Sequence, residues 1–222
     1  MSLPSRNSPT IKALIEKQKE KERNTIQVRV DILYRHAPFL KGACEHYSRG
    51  LDHSAINFPQ TNDVVFKLFK AWLYKLHLGD LNATSNVALT NFCYPHMANL
   101  LDLYLFADMA KLPLLKNQCI AKYYKFTKAT GYIMTPWLSY MWKYTTKEML
   151  IRKFLLDLLT WEMPPLLFET NSKDFPEELR LELLINMGYV IQVARHGTSA
   201  IEKSNPLNDL NNYYEKVEKL DA

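Results

Sequence analysis

Two pairs of side chains have the composition of metal ligands, Cys44 with His46 and Cys93 with His96. Structural zinc is usually held by paired elements of the CxxC or HxxxH kind, because four ligands must converge with tetrahedral geometry. Neither pair has a matching second element, so the reading is buried thiols and surface histidines, with no metal site. The glycines, at 42, 50, 79, 131, 188 and 197, nowhere have the spacing of a phosphate-cradling loop or a dinucleotide turn, which argues against nucleotide enzymes. No Gly-x-Ser-x-Gly elbow, no HExxH and no motif-like carboxylate pair is present. Groups distant in sequence can still meet in a catalytic site. Nothing marks any of them, and the expectation is a protein without catalytic residues or cofactor. Tyr104, Tyr123, Tyr124, Tyr132, Trp137, Tyr140, Trp142 and Tyr144 cluster in the later helices. They read as core, since a base-stacking platform would interleave its aromatics with Lys and Arg on strands.

The elements that must position any site belong to a chain of 222 residues, 47% hydrophobic and 23% charged, a composition that excludes disorder over most of its length and favours one main core. Twenty-eight Lys and Arg against 23 Asp and Glu leave a net charge of +5. The excess is spread along the chain and argues against a nucleic-acid footprint. The alternative, a transcription or chromatin-associated regulator with a basic arm, rests on a pI of 8.9 and the Lys-rich residues 1–24. Three distant cysteines, Cys44, Cys93 and Cys119, do not suggest a disulfide framework. The first residues run into Lys and Glu with no apolar stretch, so no secretory signal is expected, and the expected address is cytoplasmic or nuclear. The richest apolar window, 100–110, contains Asp102 and Asp108 and falls short of the roughly 20 residues that cross a bilayer, so no membrane association is expected. The sequon Asn82-Ala83-Thr84 reads as a loop.

Along the chain, residues 1–24 read as a charged arm, a solvated helix or an unstructured segment with little to bury. Ile26, Val28 and Val30 alternate as in a half-buried strand, and Ile56 with Phe58, ended by Pro59, suggests a second short one. Residues 31–47 suit two short helices broken near Pro38. Val65, Phe66, Phe69, Trp72, Leu73 and Leu76 recur at helical spacing, with Asn62 or Thr61 as cap and Gly79 as end. Residues 81–94 read as a long polar loop with a strand near 87–89. Residues 98–110, apolar almost all round, predict a buried central helix, and Pro113 opens another that Gly131 ends. Further helical segments are expected at 136–144, 147–161, 177–196 and 208–220. With few strands, all near the start, the fold class is α+β and mainly helical.

Four stretches carry a resemblance to BTB/POZ domains, particularly the single-domain forms found in fungi. Residues 28–40, with Val28, Pro38 and Phe39, resemble the family's opening, although Arg29 stands where His is usual and Ala37 where Ser is usual. Ile56-Asn57-Phe58-Pro59 and then Trp72-Leu73-Tyr74 are similar to its strand and following helix. Leu103, Tyr104, Ala107 and Asp108, with Pro113 beyond, match its most distinctive helix and the next. Residues 150–161 and 174–176 resemble the helical extension of the fungal forms. The resemblance implies a charged arm over 1–24, a BTB/POZ-like domain over 25–130 with a small sheet packed on a helical cluster, and an all-helical extension over 131–222.

It also implies a non-catalytic protein–protein interaction module, an adaptor or scaffold, with substrate adaptor of a cullin-type ubiquitin ligase as an alternative. The family's homodimer contact uses an apolar strand ahead of Val28, whereas residues 12–24 are mostly Lys, Glu, Gln and Arg, so that strand reads as missing. The apolar-x-Glu signature of cullin binders is absent from residues 78–96, which contain no Glu, and no kelch, MATH or zinc-finger partner domain is present. Candidate partner contacts fall on the loop after Tyr74 and on the face after Pro113, at Tyr74, Tyr94, His96, Tyr123, Tyr124 and Phe126. Aromatic side chains make strong interface anchors.

Overall fold

A computed structural model describes residues 10–16, 23–42, 55–57, 62–79 and 89–217, and within 10–16, 23–27, 55–57 and 89–94 only the backbone. The protein is mainly helical. At its beginning, strands β1 (Thr10–Glu16), β2 (Arg23–Arg29) and β3 (Ala55–Asn57) form a sheet of order β2-β1-β3. β1 runs antiparallel to β2, pairing Thr10 with Arg29 and Glu16 with Arg23, and parallel to β3, pairing Lys12 with Ala55. This corrects the reading of residues 1–24 as an arm without a strand. Ile11, Ala13 and Ile15 recur at every second position, and the ladder offered by β2 completes the backbone bonding of the strand. Phe58 lies outside the described residues, as do Cys44 and His46.

Val30 ends the sheet and begins α1 (Val30–His36), which α2 (residues 38–42) follows. Helix α3 (Asp63–Lys75) starts where Asn62 Oδ1 accepts the N–H of Val65 at 2.9 Å. Its end comes at Leu76, which adopts φ of 52°, and not at Gly79. A left-handed leucine is costly. Gln118 holds it there, its amide donating to the Leu76 carbonyl at 3.0 Å and its Oε1 accepting the Leu78 N–H at 2.9 Å.

Helix α4 spans Leu89–Met109, so residues 89–94, expected in a loop, are helical, while 81–88 lie outside the described residues. Pro95 lies inside α4, past its first turn, and removes one intrahelical backbone bond there. Helix α5 (Pro113–Thr130) opens on its proline and ends at Gly131 with φ of 68°. A 3-10 turn (Thr135–Trp137) leads into α6 (Leu138–Tyr144), and α7 (Leu150–Glu162) follows. Between the expected helical segments lie two further helices, α8 (Pro165–Thr170) and, after α9 (Glu177–Ala194), α10 (Thr198–Ser204). Where the expected helix over 208–220 is described, up to residue 217, it is replaced by 3-10 turns at Pro206–Asn208 and Leu210–Tyr213.

Two compact units emerge. One comprises Met1–Thr84 with Asn99–Cys119, the other Ser85–Ala98 with Ile120–Ala222. In the first, Phe69 packs on Phe106 with ring centroids 4.8 Å apart and stacks on Trp72, while Leu73, Leu103, Tyr104 and Ala107 are buried around them. Lys116 reaches Asp108 at 2.7 Å and lies over the Tyr104 ring, so its buried charge is paired. In the second, Tyr123 and Tyr213 pack edge-on against Phe154 of α7, and Tyr213 donates its hydroxyl to Asp157 at 2.8 Å.

A buried cation ties α9 down. Arg152 on α7 donates to Glu178 at 2.7 Å, to Glu182 at 2.8 Å and to the Thr145 carbonyl at 3.2 Å, with its guanidinium over the Trp142 ring. The Trp142 indole N–H also donates to Glu182.

Candidate interaction surface

The residues expected to meet a partner separate into two kinds. In the first unit, α3 turns Val65, Phe66, Phe69, Trp72 and Leu73 into the core, following the 3-4 spacing that makes it amphipathic. Tyr74, one step past that face, stays 44% exposed. Its hydroxyl accepts the backbone N–H of Arg29 at 3.2 Å, at the junction of β2 and α1. Arg29 itself pairs with Asp31 at 2.9 Å. A ring fixed at its polar end and open along its body suits an interface anchor, because little rotamer freedom remains to be lost on binding. Phe39 of α2, also a family-motif residue, is 52% exposed. Val28 is buried, and Pro38 is exposed at the start of α2.

In the second unit the structure brings four candidates onto neighbouring positions of α4 and α5, chiefly as packing. Tyr123 is fully buried, and its hydroxyl accepts the Met134 N–H at 3.1 Å. Burial pushes its phenol well above the ordinary value. Phe126 is buried, with its ring 6.2 Å from that of His96. These two are corrected from partner contacts to core. His96 is partly exposed, and burial followed by the nearby Lys122 lowers its pKa. Tyr124 is partly exposed, edge-on to Phe154, with Lys128 over its ring and that lysine paired to Glu162 at 3.1 Å. Tyr94 lies on α4, and its side chain is outside the described ones.

The chemistry of the described groups is quiet. Cys119 is fully buried, and desolvation raises its pKa far above that of an ordinary thiol, so it stays protonated and is a poor nucleophile. Among the described residues no three His, Cys, Asp or Glu are placed to hold a metal ion. Among them, too, no helix is long and apolar enough to cross a membrane.

Sequence reasoning missed the exposed apolar side chains of the helical half. Tyr140 and Tyr144, one turn apart on α6, are exposed with ring centroids 4.7 Å apart. On α9, Leu181, Leu184, Ile185, Tyr189 and Ile191 are all exposed. Periodicity holds part of this signal. Lys116, Cys119, Ile120, Tyr123, Phe126 and Thr127 recur at three and four residues and mark the buried face of α5, which separates Tyr123 from Tyr124. Helix α9 is apolar nearly all round, so its sequence alone does not say which apolar face is covered. In comparisons with known proteins, no family model, no curated protein and no solved structure matches the chain.

Proposed function

We propose that this chain is a non-catalytic protein–protein interaction module of the BTB/POZ type, acting as an adaptor or scaffold. The observation that carries the reading is Tyr74, the exposed third member of Trp72-Leu73-Tyr74, held by its hydroxyl while its ring stays open to solvent. The motif residues support it by position. Trp72, Leu73, Leu103, Tyr104 and Ala107 sit in the core, Asp108 holds Lys116, and Pro113 opens α5. In this reading the small sheet and the helices up to residue 130 are the family's sheet on a helical cluster, and residues 131–222 are its helical extension.

The test is affinity capture of the tagged full chain from cells of its own source, with retained proteins identified by mass spectrometry, beside the same capture with Tyr74→Ala. Because Tyr74 is exposed, the variant should keep the wild-type circular dichroism spectrum. A stoichiometric partner that the variant loses supports the module. A cullin among such partners would make the chain a ligase adaptor, and nucleic acid retained in place of protein would sink the reading in favour of a basic-arm regulator. Capture of no protein that depends on Tyr74 would also overturn it.

A further inference from the structure

Helix α9 has two faces with opposite fates. Leu179 and Leu183 are buried, and Glu178 and Glu182 are tied to Arg152. The other face carries Leu181, Leu184, Ile185, Tyr189 and Ile191, each between 51 and 70% exposed, within three turns of helix. At about 200 Å² for a large side chain, Leu181, Leu184, Ile185 and Ile191, which lie along one side of the helix, leave on the order of 500 Å² per copy uncovered, against the roughly 800 Å² that each partner gives to a standard interface. Scattered exposed leucines are ordinary, but a contiguous patch of this size is about the largest that a typical chain exposes, and such patches are often functional.

The order of residues along the stripe specifies its occupant. Glu177, Leu181, Leu184, Gly188, Ile191 and Arg195 follow one another at steps of four, three, four, three and four, the spacing of a coiled-coil seam. Arg195, the residue that caps α9, still has helical backbone angles, so it continues the stripe. The seam begins with an acid and ends with a base. We propose that α9 pairs antiparallel with α9 of a second copy of this chain. About a two-fold axis at residue 186, Glu177 faces Arg195 of the second copy, Leu181 faces its Ile191, and Leu184 faces its Gly188. The same contacts repeat on the other side of the axis, as an isologous interface requires. A parallel pair would set Glu177 against Glu177 and Arg195 against Arg195, which is repulsive.

Gly188 fits this arrangement and little else. Glycine weakens a helix interior, and a Cβ placed there would meet nothing within 4 Å, so packing inside the chain does not ask for it. Opposite Leu184 of a second helix, it provides the hole for that knob and allows the axes to approach. The pairing stands apart from the family reading. A chain that captures no other protein could still pair, and one that captures a cullin could stay single.

The experiment is sedimentation equilibrium of the full chain up to about 100 μM, with circular dichroism to check folding. The expected mass is twice 26.0 kDa. Leu184→Glu, on the exposed face, should return the single-chain mass with an unchanged spectrum. Glu177→Arg should weaken pairing at least about tenfold, and adding Arg195→Glu should restore it, because in an antiparallel pair the two changes exchange places across each contact. A wild-type chain that stays single at that concentration would overturn the proposal and leave the face to a different protein. So would a dimer indifferent to Leu184→Glu, or a double charge swap no stronger than the single one.

Discussion

Replacing Arg152 with methionine tests whether the buried cation is what seats α9. The guanidinium is 5% exposed and serves Glu178, Glu182 and the Thr145 carbonyl while lying 4.9 Å from the centre of the Trp142 ring. Removing one partner of a buried ion pair costs roughly 3–5 kcal/mol, mainly because the remaining charge stays desolvated. Two features reduce that here. Glu178 is 50% exposed and can rehydrate, and Lys147 stands 3.4 Å from Glu182 and takes up part of its charge. Arg152→Met should therefore cost about 2–3 kcal/mol. Urea denaturation followed by tryptophan fluorescence gives the value. Combining it with Glu182→Gln, which removes the buried counter-charge and keeps an acceptor for the Trp142 indole, should cost about 1 kcal/mol less than the sum of the single changes. A loss below about 1 kcal/mol for Arg152→Met, or strictly additive single changes, would show that apolar packing alone seats α9.

Burial raises the Asp157 pKa above its ordinary 3.8, even though the Tyr213 hydroxyl donates to it and lowers it in part. The folded state therefore binds the proton more tightly than the unfolded one, and stability should fall as pH rises from the ordinary value through the raised one. In urea titrations across mildly acidic pH, Asp157→Asn should flatten that slope. His96 has the opposite sense, since its lowered pKa makes stability complete above the ordinary 6.5 and lost as pH falls through the lowered value. His96→Gln should remove that share of the loss, read as a smaller drop in melting temperature between pH 7.5 and pH 5.5. Gln118→Leu leaves the Leu76 carbonyl and the Leu78 N–H without the groups that bind them, and should cost about 1–3 kcal/mol in the same denaturation assay.

Local signals carried over where one element decides its own conformation. Asn62 caps α3, Pro113 opens α5 and Gly131 closes it, each through a bond or dihedral angle set within a few residues. Failures came where a distant group decides. The end of α3 is fixed by Gln118, forty residues on, and no pattern near Gly79 could report it. β1 extends because β2 offers it a ladder, while its own Lys12 and Glu16 read as solvated. Among the candidate contacts, residue type alone put Tyr123 beside Tyr124, and only the period of α5 distinguishes the buried ring from the accessible one. The exposed face of α9 was hidden for a further reason. Burial of Leu179 and Leu183 and exposure of Leu181 and Leu184 depend on where α7 lies, which composition does not encode.

The clamp that ends α3 bears on the order in which the chain folds. Its two hydrogen bonds close the loop from Leu76 to Gln118, and drawing together chain ends separated by about 40 residues costs at least about 3 kcal/mol of entropy. Nucleation at the Asn62 end of α3 needs only neighbours, whereas the left-handed turn at Leu76 waits until α5 has arrived. A clamp made only after α5 docks contributes little to the folding transition state, so Gln118→Leu is expected to speed unfolding and leave refolding almost unchanged in urea-jump kinetics.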